Sequence, residues 1–74
     1  MINGTLPQLG AGEIGTISSI DGSGIRSKRL ADMGFVRGAR LTMIRPGEPC
    51  LVKLGGRWVG LGLGHQEKIQ LRAD

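Results

Sequence analysis

Arg29-Leu30-Ala31-Asp32-Met33-Gly34-Phe35-Val36-Arg37-Gly38-Ala39-Arg40-Leu41 is the stretch that decides the fold. It reads as the last turn of a short helix, a glycine stop, a loop, and entry into a strand. With the helix ending at Met33, Gly34 takes the first position beyond it. The backbone there needs φ > 0, and a missing Cβ removes the steric penalty. Phe35 then falls where it can fold back onto Leu30, the apolar contact that accompanies this kind of cap. Gly38 marks the next turn before Leu41 and Met43 begin a strand. One helix is thus expected inside a chain otherwise built of strands.

Outward from this stretch the signals are mostly β. Leu6-Pro7-Gln8-Leu9 reads as a lead-in that packs its leucines on the body of the protein. Glu13 to Ile20 is rich in β-branched residues and predicts a strand. The odd offset from Ile17 to Ile20 breaks period 2 and predicts a bulge or strand end. Asp21-Gly22-Ser23-Gly24 predicts a turn with a helix cap at Ser23, and the helix runs from about Ile25 to Met33. Its arc carries Ile25, Leu30 and Met33, but also Arg26 and Arg29. Either the arginine stems lie along the core edge with their heads in water, or this face meets a partner.

Beyond Gly38, Arg40 to Arg45 predicts a strand, and Arg45-Pro46-Gly47-Glu48 a type II turn. Pro49 to Leu54 and Arg57 to Leu61 are strands joined by a two-residue hairpin turn, Gly55-Gly56. That loop length sets Val52 opposite Val59, Cys50 opposite Leu61, and Lys53 opposite Trp58 on the outer face. A slip of one residue would bury Trp58 instead. Gly60 to Gln66 predicts a glycine-rich bend that can hold one helical turn, and Lys68 to Leu71 a final strand. Five short strands with glycine-marked turns predict a mainly β protein, a small closed SH3-like barrel with one inserted helix. Ile17, Leu30, Phe35, Val52, Val59 and Ile69 are its expected core.

The chain has 74 residues, so a single domain over residues 1–74 is expected. At this size only about 60% of the unfolded chain's surface is buried, which leaves no room for a deep catalytic cleft. Trp58 and Phe35 are the only aromatics, so the core must be aliphatic. The formal charge of +4 and pI of about 10.3 favour an anionic partner. A lone cysteine, Cys50, fits a reducing compartment. No apolar run approaches the roughly 18 residues of a membrane span, and the start lacks a signal-peptide pattern. A cytoplasmic protein that is not membrane-inserted is expected.

Little in the sequence offers chemistry. Gly10 to Gly15 matches G-x-G-x-x-G, but a β-branched stretch follows where a dinucleotide fold needs a helix. The Gly60 to Gly64 run lacks the lysine and Ser/Thr of a phosphate-binding loop. His65 and Cys50 are too few for a zinc site. The carboxylates are scattered, without the pairing that acid–base catalysis needs. No enzyme, no small-molecule substrate, no metal and no cofactor are expected. Peptide capture by an aromatic groove and base stacking both fail for want of aromatics. The basic group Arg26, Lys28, Arg29, Arg37 and Arg40 can serve as a solvated face, a protein contact, or a phosphate contact with little sequence readout.

The order Leu6…Leu9…Gly12-Glu13…Ile17…Ile20, then Arg29-Leu30…Met33-Gly34-Phe35…Gly38, resembles the FeoA family of ferrous iron transport accessory proteins. Pro46-Gly47-Glu48-Pro49, Gly56-Arg57-Trp58-Val59-Gly60-Leu61 and Ile69-Gln70-Leu71 are similar to the rest of its pattern. Two departures stand out: Gln66 occupies a position usually held by a small residue, and Gly60 one usually held by Ala. The resemblance implies a cytoplasmic SH3-like protein that works with FeoB, a membrane Fe(II) transporter bearing a cytosolic GTPase domain. It implies binding and regulation of that transporter, without iron carriage or GTP hydrolysis. A similar barrel occurs as a regulatory module of iron-dependent repressors. The expected contact residues are Arg26, Arg29, Arg37 and Arg40 for steering, with Trp58 as apolar anchor. The alternatives are a nucleic-acid-binding SH3-like module and an iron-responsive regulatory domain, and a weak homo-oligomer remains compatible with the composition.

Overall fold

A computed structural model of the chain describes residues 3–22 and 24–73, and for Asn3, Arg26 and Ala73 the backbone alone. The elements in order are β1 (Asn3–Thr5), a 3-10 turn (Leu6–Gln8), β2 (Ile14–Ile20), α1 (Ile25–Asp32), β3 (Arg40–Arg45), β4 (Cys50–Leu54), β5 (Arg57–Leu61), α2 (Leu63–Gln66) and β6 (Ile69–Ala73). The strands form one antiparallel sheet in the order β1-β6-β2-β3-β4-β5.

Among the described residues six strands replace the expected five, because the start of the lead-in forms β1, pairing Gly4 with Leu71 on β6. Three residues are too few for alternation to show in sequence, and the partner strand, not local propensity, makes them β. The expected closed barrel is corrected as well. Among the described residues β1 and β5 form the two edges of the sheet and do not pair with each other.

The helix stop follows the sequence closely. Gly34 has φ 101°; its N–H donates to Ala31 O at 3.0 Å, and the Phe35 N–H donates to Leu30 O at 2.9 Å. These two bonds satisfy carbonyls that the helix end leaves free. Leu30 and Phe35 are both fully buried, so the cap also closes the core. At the other end, Ile25 is 74% exposed, against its expected place on the buried arc. The first turn of so short a helix carries it into solvent. The Ser23 cap lies outside the described residues.

The β2 bulge falls between Ile17 and Ser19, as the offset predicted. It turns Ile17 toward Leu71 and Ile20 toward Ile69 on the same partner strand. Gly55 and Gly56 hold φ 57° and 84°, a turn that matches strand twist. The register is as expected: Cys50 opposite Leu61, Val52 opposite Val59, Lys53 opposite Trp58. Gly47 at φ 135° departs from the roughly +80° of a type II turn, so the β3–β4 connection is a wider bend.

Leu6, Leu9, Ile17, Leu30, Phe35, Leu41, Met43, Cys50, Val52, Leu54, Leu61, Ile69 and Leu71 make the core, with Val59 partly buried against it. One buried polar residue inside this apolar set was not anticipated. Gln66, 1% exposed, donates from Nε2 to Gly47 O at 2.9 Å and to Leu61 O at 2.8 Å. One amide thus joins α2, the β3–β4 bend and the end of β5, and its hydrogen bonds offset the cost of burial.

Candidate docking surface

Alternation along the strands decides which side chains face out. Leu41 and Met43 point inward on β3, so Arg40 and Thr42 face outward. Register then links one outer row across four strands: Ile14 on β2, Thr42 on β3, Lys53 on β4 and Trp58 on β5. Trp58 is 61% exposed and Ile14 48%, so the row has an apolar residue at each end and a cation beside the tryptophan. The adjacent row runs Arg40, Thr16, Arg72.

The strands carry Arg40, Arg45, Lys53, Arg57 and Arg72 but no aspartate or glutamate. The described carboxylates sit in turns, loops and helices, where three of them have local work. Glu13 accepts from the Gly10 N–H, Glu48 from the Leu63 N–H at 2.8 Å, and Asp21 from Gln70 Nε2 at 2.6 Å. The strands of the sheet therefore contribute only positive charge, which favours an anionic partner.

Three of the expected contact arginines border different depressions. Arg29 lines a groove with Asp32, Met33, Gly60, Leu61, Gly62 and His65, between the end of α1 and the end of β5. Arg40 borders a second depression with Ile14, Lys53 and the Gly55-Gly56 turn. Arg37 borders a third with Ser18, Gly38 and Arg72. Trp58 stands on the outer face beside Lys53. The Arg26 side chain lies outside the described residues. Sequence reading set Lys53 on the outer face opposite Trp58 without counting it among the contact residues, and it missed Arg72. Alternation along β6 was the signal that could have found Arg72, since it follows the buried Leu71.

The α1–β5 groove has a volume of about 490 Å³. Arg57, at the start of β5, holds it in shape: its Nη2 donates to Met33 O at 2.8 Å, placing a cation at the negative end of the helix. Leu61 and Met33 give the groove an apolar wall, with Arg29, Asp32 and His65 on its rim.

Reactive groups are not gathered anywhere. Cys50 is buried, and that burial pushes its thiol above the ordinary range, which keeps it protonated and inert. Among the described residues no three His, Cys, Asp or Glu side chains converge as metal ligands would. No helix among them is long and apolar enough to cross a membrane.

The profile of the FeoA domain family matches residues 4–73. Among solved structures, an iron uptake regulatory protein (FeoA) superposes with a TM-score of 0.90 at 24% identity, covering 97% of each chain. The FeoA protein of Chlorobium tepidum gives 0.84 at 30% identity, over 93% of this chain and 69% of the other. A zinc complex of Stenotrophomonas maltophilia FeoA, described as a prokaryotic SH3 domain protein, gives 0.82 at 24% identity, over 92% and 88%. No match was found among curated proteins. The fold is thus mainly β and SH3-like, and the chain belongs to the FeoA domain family.

Proposed function

We propose that this FeoA-family chain, acting as one domain over residues 1–74, is a cytoplasmic accessory of ferrous iron uptake that regulates a FeoB-type transporter. It binds the transporter's cytosolic GTPase-bearing part and performs no reaction itself. The family match over residues 4–73 is the observation that carries this reading. It is supported by the S. maltophilia relative, whose description offers an activating role in bacterial ferrous iron transport as a hypothesis. The contact surface comprises Arg26, Arg29, Arg37, Arg40 and Trp58. Arginines in three different settings act by steering, which needs a field and not a single pocket. Trp58 supplies the buried area of a hot spot.

The test is a pulldown of the purified cytosolic part of such a transporter by wild-type chain, Arg29→Glu and Trp58→Ala. Retention by wild type and loss by both variants is the expected result. Equal retention by all three would reject the surface, and no retention by wild type would reject the function.

A further inference from the structure

We infer that the open edge of β5 receives an extended, acidic segment of the transporter partner as an added strand, seated in the groove against α1. This rests on the function proposed above. It differs from that proposal in specifying main-chain pairing as the mode of contact.

The first observation is the hairpin. A two-residue turn makes Leu54 and Arg57 a hydrogen-bonded pair, and the pattern then alternates. Val52–Val59 and Cys50–Leu61 are therefore bonded pairs, while Trp58 and Gly60 turn their N–H and C=O groups away from β4. β5 ends the sheet, and among the described residues nothing bonds to Trp58 or Gly60 on that outer side. Native edges are commonly blunted by proline or inward charge. The stretch Trp58-Val59-Gly60-Leu61 has neither.

The second observation is Gly60 itself. It is not in the left-handed region, and an added Cβ would meet only Cys50 O, at 3.8 Å. Nothing in the chain's own packing requires glycine there. The missing side chain instead leaves space on the groove wall, at a residue with unpaired main-chain groups. A glycine in such a place suits close approach by another backbone.

The third observation is charge. The strands carry cations and no carboxylate, with Arg57 at the start of β5, and the groove rim sets Arg29 beside one carboxylate, Asp32. A strand added here would set alternate side chains against Leu61 and Met33, with others beside Trp58. A carboxylate within reach of Arg29 completes the match.

The experiment uses full-length, isotope-labelled chain titrated with the purified cytosolic GTPase-bearing part of a FeoB-type transporter, reading amide hydrogen exchange and affinity. In the complex the Trp58 and Gly60 amides should slow by about tenfold or more, while Val59, already bonded to Val52, changes less. Gly60→Val should keep the unfolding temperature and weaken binding about tenfold or more. Unchanged exchange at both amides in a complex that forms would overturn the added strand and leave the function standing. Full binding by a folded Gly60→Val would do the same, and should that variant fail to fold, exchange in wild type decides. Protection that grows with the chain's own concentration, without partner, would assign the edge to a second copy instead. No binding by wild type would overturn both proposals.

Discussion

The end of α1 and the turn α2 face one problem, the backbone groups that a helix terminus leaves without partners, and meet it by different means. At α1 the answer is local. Gly34 reverses the chain, Phe35 and Gly34 bond back to Leu30 and Ala31, and the side chains of Leu30 and Phe35 are fully buried. At the start of α2 it is long-range: Glu48, fifteen positions away, accepts from the Leu63 N–H, while Gln66 caps nothing and instead ties the turn to the Gly47 and Leu61 carbonyls of other segments. A local stop is held mainly by apolar burial and backbone geometry. The α2 turn is held by polar ties from distant segments, and the buried one, at Gln66, leaves orphans when cut.

Substitutions in the two regions should therefore fail differently, and the largest effect belongs to α1. Phe35→Ala should lose about 3–5 kcal/mol, enough to unfold most of so small a protein. Thermal unfolding and near-native signal by circular dichroism would check it, and retention of a sharp transition near wild type would break the comparison. Gln66→Leu comes next. It keeps volume but deprives Gly47 O and Leu61 O of their donor, at about 1–3 kcal/mol for each carbonyl that stays buried. If Gln66→Leu matched wild type in denaturant titration, the polar tie would be dispensable and the contrast would collapse.

Gly34→Ala sharpens the local side. An L residue at φ 101° costs about 1–2 kcal/mol, or some 4–16 °C in melting temperature for a chain of this size. Glu48→Ala removes one exposed bond to α2 and should cost about 1 kcal/mol or less, visible first as faster exchange at the Leu63 amide. The smallest effect is pH-dependent. Because burial raises the folded thiol pKa of Cys50, its contribution is full below the unfolded value near 8.5 and is lost as pH climbs past it. Stability should sag above about pH 9, and Cys50→Ala should remove that part of the slope.

The same contrast explains what could be read in advance. The Gly34 stop, the β2 bulge and the Gly55-Gly56 register are coded within a few residues, so pattern reached them. Trp58 followed from the register alone. β1 could not be read, because its three residues become a strand only by lying beside β6. Gln66 could not be read either, since its carbonyl partners lie on other segments and a glutamine in a glycine-rich bend looks solvated. The proposed contact residues could be chosen from sequence by type but not by arrangement. Arg29, Arg37 and Arg40 sit close in sequence, yet the fold assigns them to different depressions. Lys53 and Arg72 join them only across strands.

The central claim is that partner binding lives on the cationic outer surface and the β5 side, apart from the framework that holds the chain folded. Melting temperature and affinity for the transporter's cytosolic part, measured on one panel of Gln66→Leu, Gly34→Ala, Arg29→Glu and Trp58→Ala, test this most directly. The first two should lower the melting temperature while the folded fraction binds as wild type does, and the last two should bind weakly at an unchanged melting temperature. Affinity that simply followed melting temperature across all four would contradict the account.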